Sequence, residues 1–287
     1  MIRNEQQSPF GAGWTLRGVD RIILSSGTAL LAQGDGRTIP FVNTSVANFV
    51  SWWPAEGSPA DLRSGLNGTL QNGATFASGQ VGQAFSFDGI DDYVTIPDSA
   101  VLDTLGSAAT LELWVKPILN PAAPQPTFRW LFARRNPNLL ESFSVGLTET
   151  GRLVVVVQGT GLPSSSFWSA SNAVTAEVWQ HVAVSVDLAA ASLHAYVNGQ
   201  EVGLVVINGP GTLGGTFVDV TEGYLGRWQS PDVQASGVGP AYFKGQIDEV
   251  ELYARVLSAS ELNAHFTAGG VPSACPAEDS GSTHHLF

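Results

Sequence analysis

The chain has 287 residues and a formal net charge of −12, with 13 lysines and arginines against 25 acidic residues. Nucleic-acid binding relies on clustered cations, so this balance argues against a nucleic-acid partner. The single cysteine, Cys275, excludes an intrachain disulfide and a thiolate metal site. The 32 glycines and 16 prolines indicate many turns and short strands, so we expect an all-β protein.

Membrane insertion is not expected, because no run of 18 apolar residues occurs in the sequence. The opening residues MIRNEQQSPF lack the apolar core of a signal peptide. We therefore expect the chain to be a piece of a longer exported protein whose targeting segment lies elsewhere.

Residues 1–41 form the first predicted unit. Two apolar runs, Arg21–Leu24 and Ala29–Ala32, are separated by Ser-Ser-Gly, and a second glycine turn follows at residues 34–36. This pattern predicts a small β-meander. Residues 8–41, with SPFGAGW, GDG and a following phenylalanine, resemble the stretch that leads into Rhs/YD-repeat proteins. Those are giant secreted or cell-surface chains, so the resemblance implies an exported parent.

A few short strands cannot bury a core alone and expose unpaired edges. We therefore expect segment 1–41 to pair with the rest of the chain or with a neighbouring molecule, so self-association through it is one expectation. Residues 42–49 are interpreted as a linker.

From residue 50 onward, apolar runs and turns alternate almost without interruption. Asn198-Gly199 is a strong hairpin signal, and HVAVSVD and LHAYVNG place an apolar side chain at every second position. The runs predict strands at Ala84–Phe87, Tyr93–Ile96, Thr110–Val115, Trp130–Ala133, Phe143–Leu147, Arg152–Gln158, Trp179–Asp187, Leu193–Val197, Glu201–Ile207, Phe217–Val220, Tyr224–Gly226 and Gln246–Tyr253.

One helix is predicted near the end of the chain, over Ala259–Thr267. Ser258 can cap it, and Glu261 stands at the capping-box position three residues later. Residues 269–287 are rich in turn-forming residues and are expected to be a loosely ordered tail.

Several motifs occur along residues 50–268 in one order: FVSWWP, DLRSGLNG, GQVGQAFSFDG, DDYV, LELWV, WQHVA, YVNG and GQIDEV. This series resembles laminin-G-like, concanavalin-A-like domains of the bacterial type. The resemblance implies a jelly-roll sandwich of two antiparallel sheets, with one short C-terminal helix, that binds ligands in its loops or on its concave face.

Carboxylates in GQIDEV raise the question of hydrolysis, because retaining glucanases of this architecture carry Glu-x-Asp-x-x-Glu on one strand. Here the nucleophile position is Gln246, whose amide cannot form a glycosyl ester. Asp248 and Glu251 also fall on opposite faces of a regular strand. The sequence therefore predicts a protein that is not an enzyme.

Asp248 would share a strand face with Val250 and Leu252, so its carboxylate needs a partner. The glycine-bearing loop 61–68 can supply oxygens from Asp61 and Asn67. A structural calcium bound by Asp61, Asn67 and Asp248 is the favoured hypothesis, and related jelly rolls hold calcium between an early loop and a late strand. Hydrogen bonding of Asp248 to the backbone is the alternative.

Trp168 and Trp228 lie in or near polar stretches and are candidates for an exposed platform that binds a ligand, with Arg227 as a hydrogen-bond donor. The alternative is that these rings only cover the ends of the sandwich. No histidine spacing indicates a zinc site.

The favoured function is a non-catalytic carbohydrate-binding or adhesion module of an exported bacterial protein, located at the cell surface or outside the cell. Its partner would be a glycan or a surface protein. A structural spacer or assembly domain without a glycan ligand is the alternative, and a cryptic glycoside hydrolase is the third.

Overall fold

The computed structural model describes residues 19–25, 28–33, 38–42, 49–123, 128–135, 141–220, 222–228 and 242–269. The chain divides into two units, Met1–Asn48 and Phe49–Phe287. The first unit contains the predicted antiparallel meander, formed by β1 (Val19–Ser25), β2 (Thr28–Gln33) and β3 (Thr38–Val42). The predicted turn at residues 34–36, most of the predicted linker and residues 270–287 of the predicted tail lie outside the described residues.

The second unit is a sandwich of two antiparallel sheets, which confirms the predicted fold class. Its strands are β4 (Phe49–Trp53), β5 (Thr69–Gln71), β6 (Thr75–Ser78), β7 (Gln83–Asp88), β8 (Tyr93–Pro97), β9 (Ala108–Pro117), β10 (Phe128–Arg135), β11 (Glu141–Thr148), β12 (Leu153–Val157), β13 (Ser165–Ser169), β14 (Gln180–Asp187), β15 (Ser192–Val197), β16 (Gln200–Val202), β17 (Leu204–Asn208), β18 (Glu222–Leu225) and β19 (Lys244–Tyr253). The helices are α1 (Ala100–Asp103) and α2 (Ala259–Gly269).

We call the two sheets the front sheet and the back sheet. The front sheet has the order β17-β13-β12-β11-β10-β18-β8-β5. The back sheet has the order β16-β15-β14-β9-β19-β7-β6, and β4 pairs with the second half of β19. Both sheets turn alternate side chains into one shared core, as Phe143, Val145 and Leu147 do on β11. The side chains at the intervening positions of each strand therefore lie on the outer face of their sheet.

The predicted strands agree with the observed ones at most positions, usually within two residues at each end. The predicted strand Glu201–Ile207 is divided into β16 and β17. The predicted strand Phe217–Val220 is reduced to an isolated bridge between Phe217 and Gly159. The short strands β5, β6 and β13 were not predicted as strands, because their sequences are rich in polar and small residues.

Helix α2 begins with the predicted capping box. The Ser258 amide donates to Glu261 Oε2 at 2.8 Å, and the Glu261 amide donates to Ser258 Oγ at 3.3 Å. The helix lies against the outer face of the back sheet, where Phe266 packs 5.8 Å from the ring of Trp114. Trp114 is buried beneath α2, outside the core cluster between the two sheets. Neither helix in the described ranges has the length and apolarity that a membrane crossing requires.

A β-bulge interrupts β19 at Glu249, which has a positive φ of 49°. Asp248 is opposite Trp114 on β9 and Glu251 is opposite Glu112, so one extra residue separates the two pairs. The bulge turns both Ile247 and Val250 toward the core. The predicted faces of this strand are therefore wrong. Asp248 lies on the outer face together with Glu251, whereas Val250 points into the core.

Candidate functional site

Trp168 lies on strand β13, and not in the polar loop that the sequence indicated. The serines around it make this strand resemble a loop in the sequence. In the structure, their hydroxyl oxygens accept hydrogen bonds from main-chain amides. Leu153 N donates to Ser169 Oγ at 2.9 Å, and Gly211 N donates to Ser165 Oγ at 3.1 Å. Phe167 faces the core, so Trp168 lies on the outer face of the front sheet.

A row of paired residues runs across this outer face. Trp168 on β13 pairs with Val154 on β12, Val154 pairs with Gly146 on β11, and Gly146 pairs with Trp130 on β10. The indole of Trp130 lies over Gly146, where a Cβ atom would come within 2.9 Å of the ring. Because Gly146 has no side chain, the Trp130 indole can pack directly on its backbone.

The rings on this face contact each other in one cluster. Phe128 lies edge-on to Trp168 with ring centroids 5.6 Å apart, and Trp228 stacks on Trp130 at 5.0 Å. We define the aromatic face as Phe128, Trp130, Trp168 and Trp228, together with Val154 and Val156. Both tryptophans predicted as ligand residues thus belong to one surface.

Two arginines stack on the tryptophans of the aromatic face. The guanidinium of Arg135 lies 4.2 Å from the Trp228 ring centroid, and that of Arg152 lies 5.2 Å from Trp168. Such cation–π contacts hold the charged group over the face of the ring. No pattern in the sequence indicates a role for either arginine.

Arg227, the third predicted ligand residue, lies among tyrosines. Its guanidinium is 4.4 Å from the ring centroid of Tyr93 and 5.6 Å from those of Tyr224 and Tyr242. The backbone places it next to Trp228, yet its side chain is held by this tyrosine group.

Three buried polar groups on the outer face of the front sheet have no hydrogen-bond partner among the described residues. They are the Trp130 Nε1 atom and the hydroxyls of Ser142 and Ser144. A buried polar group without a partner costs about 1–3 kcal/mol. Each of these groups can donate a hydrogen bond, and the hydroxyls can also accept one.

Asp61, predicted as a calcium ligand, is held by its own loop. Its Oδ1 atom accepts from the amides of Trp52 and Arg63 at 2.9 and 2.8 Å and from that of Ser64 at 3.3 Å. Its Oδ2 atom accepts from the Ser64 hydroxyl at 2.5 Å and from Leu66 N at 3.1 Å. Burial acts to raise the pKa of Asp61, but these hydrogen bonds outweigh it and hold the pKa below its usual value.

Asn67 and Asp248 are likewise engaged. Asn67 Oδ1 accepts from Asp61 N at 3.0 Å. Asp248 is fully buried, its Oδ2 accepts from Val81 N at 2.9 Å, and burial raises its pKa to about 7. A carboxylate that already accepts five hydrogen bonds, as Asp61 does, does not fit a calcium ligand. Whether calcium binds the protein stays a prediction.

The bulge in β19 changes the reasoning about hydrolysis. Asp248 and Glu251 share a face, so strand geometry alone does not separate them. Asp248 is buried beside the turn at Gly79, where a Cβ atom would lie 2.5 Å from its Oδ2. Glu251 accepts the Tyr253 hydroxyl. Burial and hydrogen bonding, rather than opposite faces, therefore argue against this carboxylate pair acting on a substrate.

A charged cluster that no sequence pattern indicates lies on the outer face of the back sheet. We define it as Glu112, His181, Glu251, Tyr253 and His265. His265 Nδ1 is 2.7 Å from Glu112 Oε1, and His181 Nε2 is 3.3 Å from Glu112 Oε2. His265 is on α2, so this contact helps to hold the helix on the sheet.

The two glutamates of the charged cluster have opposite pKa shifts. Burial acts to raise the pKa of Glu112, but the contacts with His181 and His265 hold it low. Burial and then the charge of Glu112 raise the pKa of Glu251. Burial also raises the pKa of Tyr253, while the contact with Glu112 raises that of His265. Near neutral pH, Glu251 is therefore favoured in its protonated form beside the ionised Glu112.

A sandwich of two eight-stranded antiparallel sheets has the architecture of a jelly roll. The chain belongs to the concanavalin A-like lectin/glucanases superfamily, whose family model matches residues 88–263. No curated protein matches the sequence.

Several solved structures are similar in fold. The binding domain of Paraclostridial Mosquitocidal Protein 1 is 15% identical, with a TM-score of 0.57 over 77% of this chain and 52% of that chain. The binding domain of botulinum neurotoxin DC in complex with SialylT is 12% identical, with a TM-score of 0.55 over 77% of this chain and 51% of that one.

A third structure concerns the dependence of botulinum neurotoxin type C cell entry on two ganglioside molecules. It is 13% identical, with a TM-score of 0.54 over 78% of this chain and 51% of that chain. The chain thus spans about half the length of these structures. At these identities the likeness shows the fold alone.

Proposed function

We propose that the protein is a non-catalytic glycan-binding module and that the aromatic face is its binding surface. The observation that carries this proposal is the convergence of Trp168 and Trp228 on one outer face, beside Arg135 and Arg152. Both tryptophans are half-buried, so each has a supported position and some surface exposed to a ligand.

The chemistry of the aromatic face matches a sugar ring. The axial C–H groups of a pyranose form an apolar patch that packs on an indole, and its hydroxyls need nearby donors and acceptors. The buried hydroxyls of Ser142 and Ser144 and the Trp130 Nε1 atom lie on the same face and have no hydrogen-bond partner in the described ranges. A polar ligand that satisfies such groups gains binding energy from them.

The similar structures support this proposal as examples. They include toxin binding domains, one of them in complex with SialylT, and a structure of botulinum neurotoxin type C, whose cell entry depends on interaction with two ganglioside molecules. By this analogy we extend the proposal to a location outside the cell or at its surface, within a longer exported protein. The Rhs-like character of residues 1–41 and self-association through that segment stay predictions.

A glycan array with the wild-type protein and Trp168→Ala tests the proposed function. Loss of a stacked ring should weaken binding of any glycan hit by about 2- to 12-fold, beyond the effect of lost area. The matched control is Trp52→Ala, because Trp52 is also half-buried but lies on β4 of the back sheet and donates to Glu249. Equal losses in both variants, or no glycan hit at all, would contradict the proposal.

One observation favours the alternative of an assembly domain. Strand β17 is an edge strand of the front sheet, and its residues Val205, Val206 and Ile207 are 41%, 50% and 48% exposed. An exposed apolar edge can pair with another chain. Sedimentation of the wild type and Val206→Lys distinguishes the functions, since assembly predicts a concentration-dependent oligomer that the lysine disrupts.

A further inference from the structure

The charged cluster contains a pairing that is unfavourable on its own. Glu112 of β9 and Glu251 of β19 are directly opposite each other in the back sheet. Like charges in this position destabilise an antiparallel strand pair. A cation between the two carboxylates would reverse the sign of this interaction.

We propose that Glu112, Glu251 and His265 bind a divalent transition-metal ion, with zinc as the best match. One carboxylate oxygen from each glutamate and one imidazole nitrogen lie within 4.8 Å of one another. Zinc binds such atoms at about 2.0–2.2 Å, so the ligands of a tetrahedral site lie roughly 3.3 Å apart. Side-chain rotations that close the group by about an ångström would therefore complete the site.

Unpaired buried atoms supply a second, independent indication. The side chain of Glu112 is 3% exposed, and its Oε2 atom has no hydrogen-bond partner within the described part of the chain. The Nε2 atom of His181, also 3% exposed, stands 3.3 Å from that oxygen as an ion-pair contact, and the His181 Nδ1 atom has no hydrogen-bond partner among the residues that the structure describes. Desolvated groups of this kind are costly unless a charge or hydrogen bond compensates them.

The charge and the surroundings of the cluster suit a divalent ion. Binding of an ion requires both glutamates to be ionised and the imidazoles to be neutral, and the cluster then carries a charge of −2, which one divalent ion balances. The 2.7 Å contact between His265 Nδ1 and Glu112 Oε1 is short enough to share a proton, and the ion would take the place of that proton. The Tyr253 hydroxyl donates to Glu251 Oε2 and so orients this carboxylate.

The ligand types favour zinc over calcium, because calcium takes oxygen ligands while imidazole suits zinc, copper or nickel. The ion can reach the site from solvent, since the His265 side chain is 34% exposed. Three protein ligands leave a fourth position for water.

Isothermal titration of metal-stripped, full-length protein with zinc chloride tests the proposal. We expect one ion per chain, and affinity at least about tenfold weaker in His265→Ala and in Glu251→Gln. The matched control is His194→Ala. His194 Nδ1 lies 2.7 Å from Glu201 Oε1 in an exposed pair, and its loss should leave zinc affinity unchanged.

A second control removes the other residues that bind zinc readily. Cys275, His284 and His285 lie outside the described residues, and the full-length variant C275S/H284A/H285A should keep the wild-type affinity. Thermal melting without metal checks that each variant folds. The visible spectrum of bound Co²⁺ gives a second measurement, and His265→Ala should change it.

Three results would overturn the proposal: no stoichiometric zinc binding by the wild type, unchanged affinity in both cluster variants, or loss of binding in the tail variant.

Discussion

The two outer faces of the sandwich differ in how they treat the side chains that point away from the core. The front sheet covers its outer face with aromatic rings and stacked arginines, whereas the back sheet places glutamates and histidines there and covers them with α2. Both faces arise from the same alternation of side chains along strands. The alternation fixes which residues point outward, and what covers them decides whether the face can meet a ligand.

Substitution in the charged cluster should have the largest effect on stability. Glu112→Ala leaves His181 and His265 without their shared partner, and removal of one member of a buried charge network costs about 3–5 kcal/mol. Urea denaturation measures this loss. The exposed Glu201→Ala is the control and should change stability by less than about 0.5 kcal/mol. Similarly small losses of stability in both variants would show that the buried contacts of Glu112 beneath α2 do not stabilise the protein.

The front face can be disturbed by adding one methyl group. In Gly146→Ala the new Cβ atom would lie 2.9 Å from both the Trp130 ring and the Arg129 carbonyl oxygen. We expect a loss of about 1–3 kcal/mol and a shifted tryptophan emission spectrum, because Trp130 must move.

Gly203→Ala provides the control for this substitution. Apart from its two chain neighbours, no atom of the described residues lies within 4 Å of a Cβ at Gly203. Its stability should therefore stay within about 0.5 kcal/mol of the wild type. An unchanged emission spectrum in Gly146→Ala would contradict the description of Trp130 seated on this glycine.

The loop around Asp61 gives a third environment, in which main-chain amides rather than histidines satisfy a buried carboxylate. Asp61→Ala leaves these donors unpaired and should lower stability by about 1–3 kcal/mol. Asp61→Asn should be milder, because it keeps one acceptor oxygen. Melting curves with EGTA decide the calcium hypothesis in the same series. Hydrogen bonding alone predicts no effect of the chelator, whereas a lower melting temperature in the wild type would support calcium.

The raised pKa of Glu251 predicts a pH effect confined to the back face. Its folded pKa is about 8, above its unfolded value of about 4.5. Its contribution to stability is therefore fully present below pH 4.5 and is lost as pH rises toward 8. In EDTA, Glu251→Gln should flatten this decline, which cannot exceed about 1.4 kcal/mol per pH unit for one proton. Parallel pH profiles of the variant and the wild type would contradict the assignment.

Much of the fold could be predicted from the sequence. The order of motifs and the alternation in runs such as HVAVSVD predict the sandwich, and Ser258 with Glu261 predicts the start of α2. Strand β13 could not be predicted, because a serine-rich stretch is typical of a loop. Only the structure shows which main-chain amides donate hydrogen bonds to these serines.

The sites were less predictable. The sequence indicates Trp168 and Trp228 as candidate ligand residues, and that role stays a prediction. Strand register brings Trp168 to the face of Trp130, and Trp228 reaches it by stacking on Trp130. The bulge residue is Glu249 and not a glycine, so the sequence does not indicate a bulge there. Asp248 was therefore assigned to the wrong face of the strand. The charged cluster depends on pairing between distant strands, and no local spacing in the sequence indicates it.

The most direct measurement of the central claim is an NMR titration of the tryptophan indole N–H signals with a glycan identified on the array. Tryptophans on both sheets report at once, because Trp130, Trp168 and Trp228 belong to the front sheet's aromatic face and Trp52 and Trp114 belong to the back sheet. Binding at the aromatic face predicts that the signals of Trp130, Trp168 and Trp228 shift, while those of Trp52 and Trp114 on the back sheet stay in place. Shifts confined to Trp52 and Trp114 would contradict it.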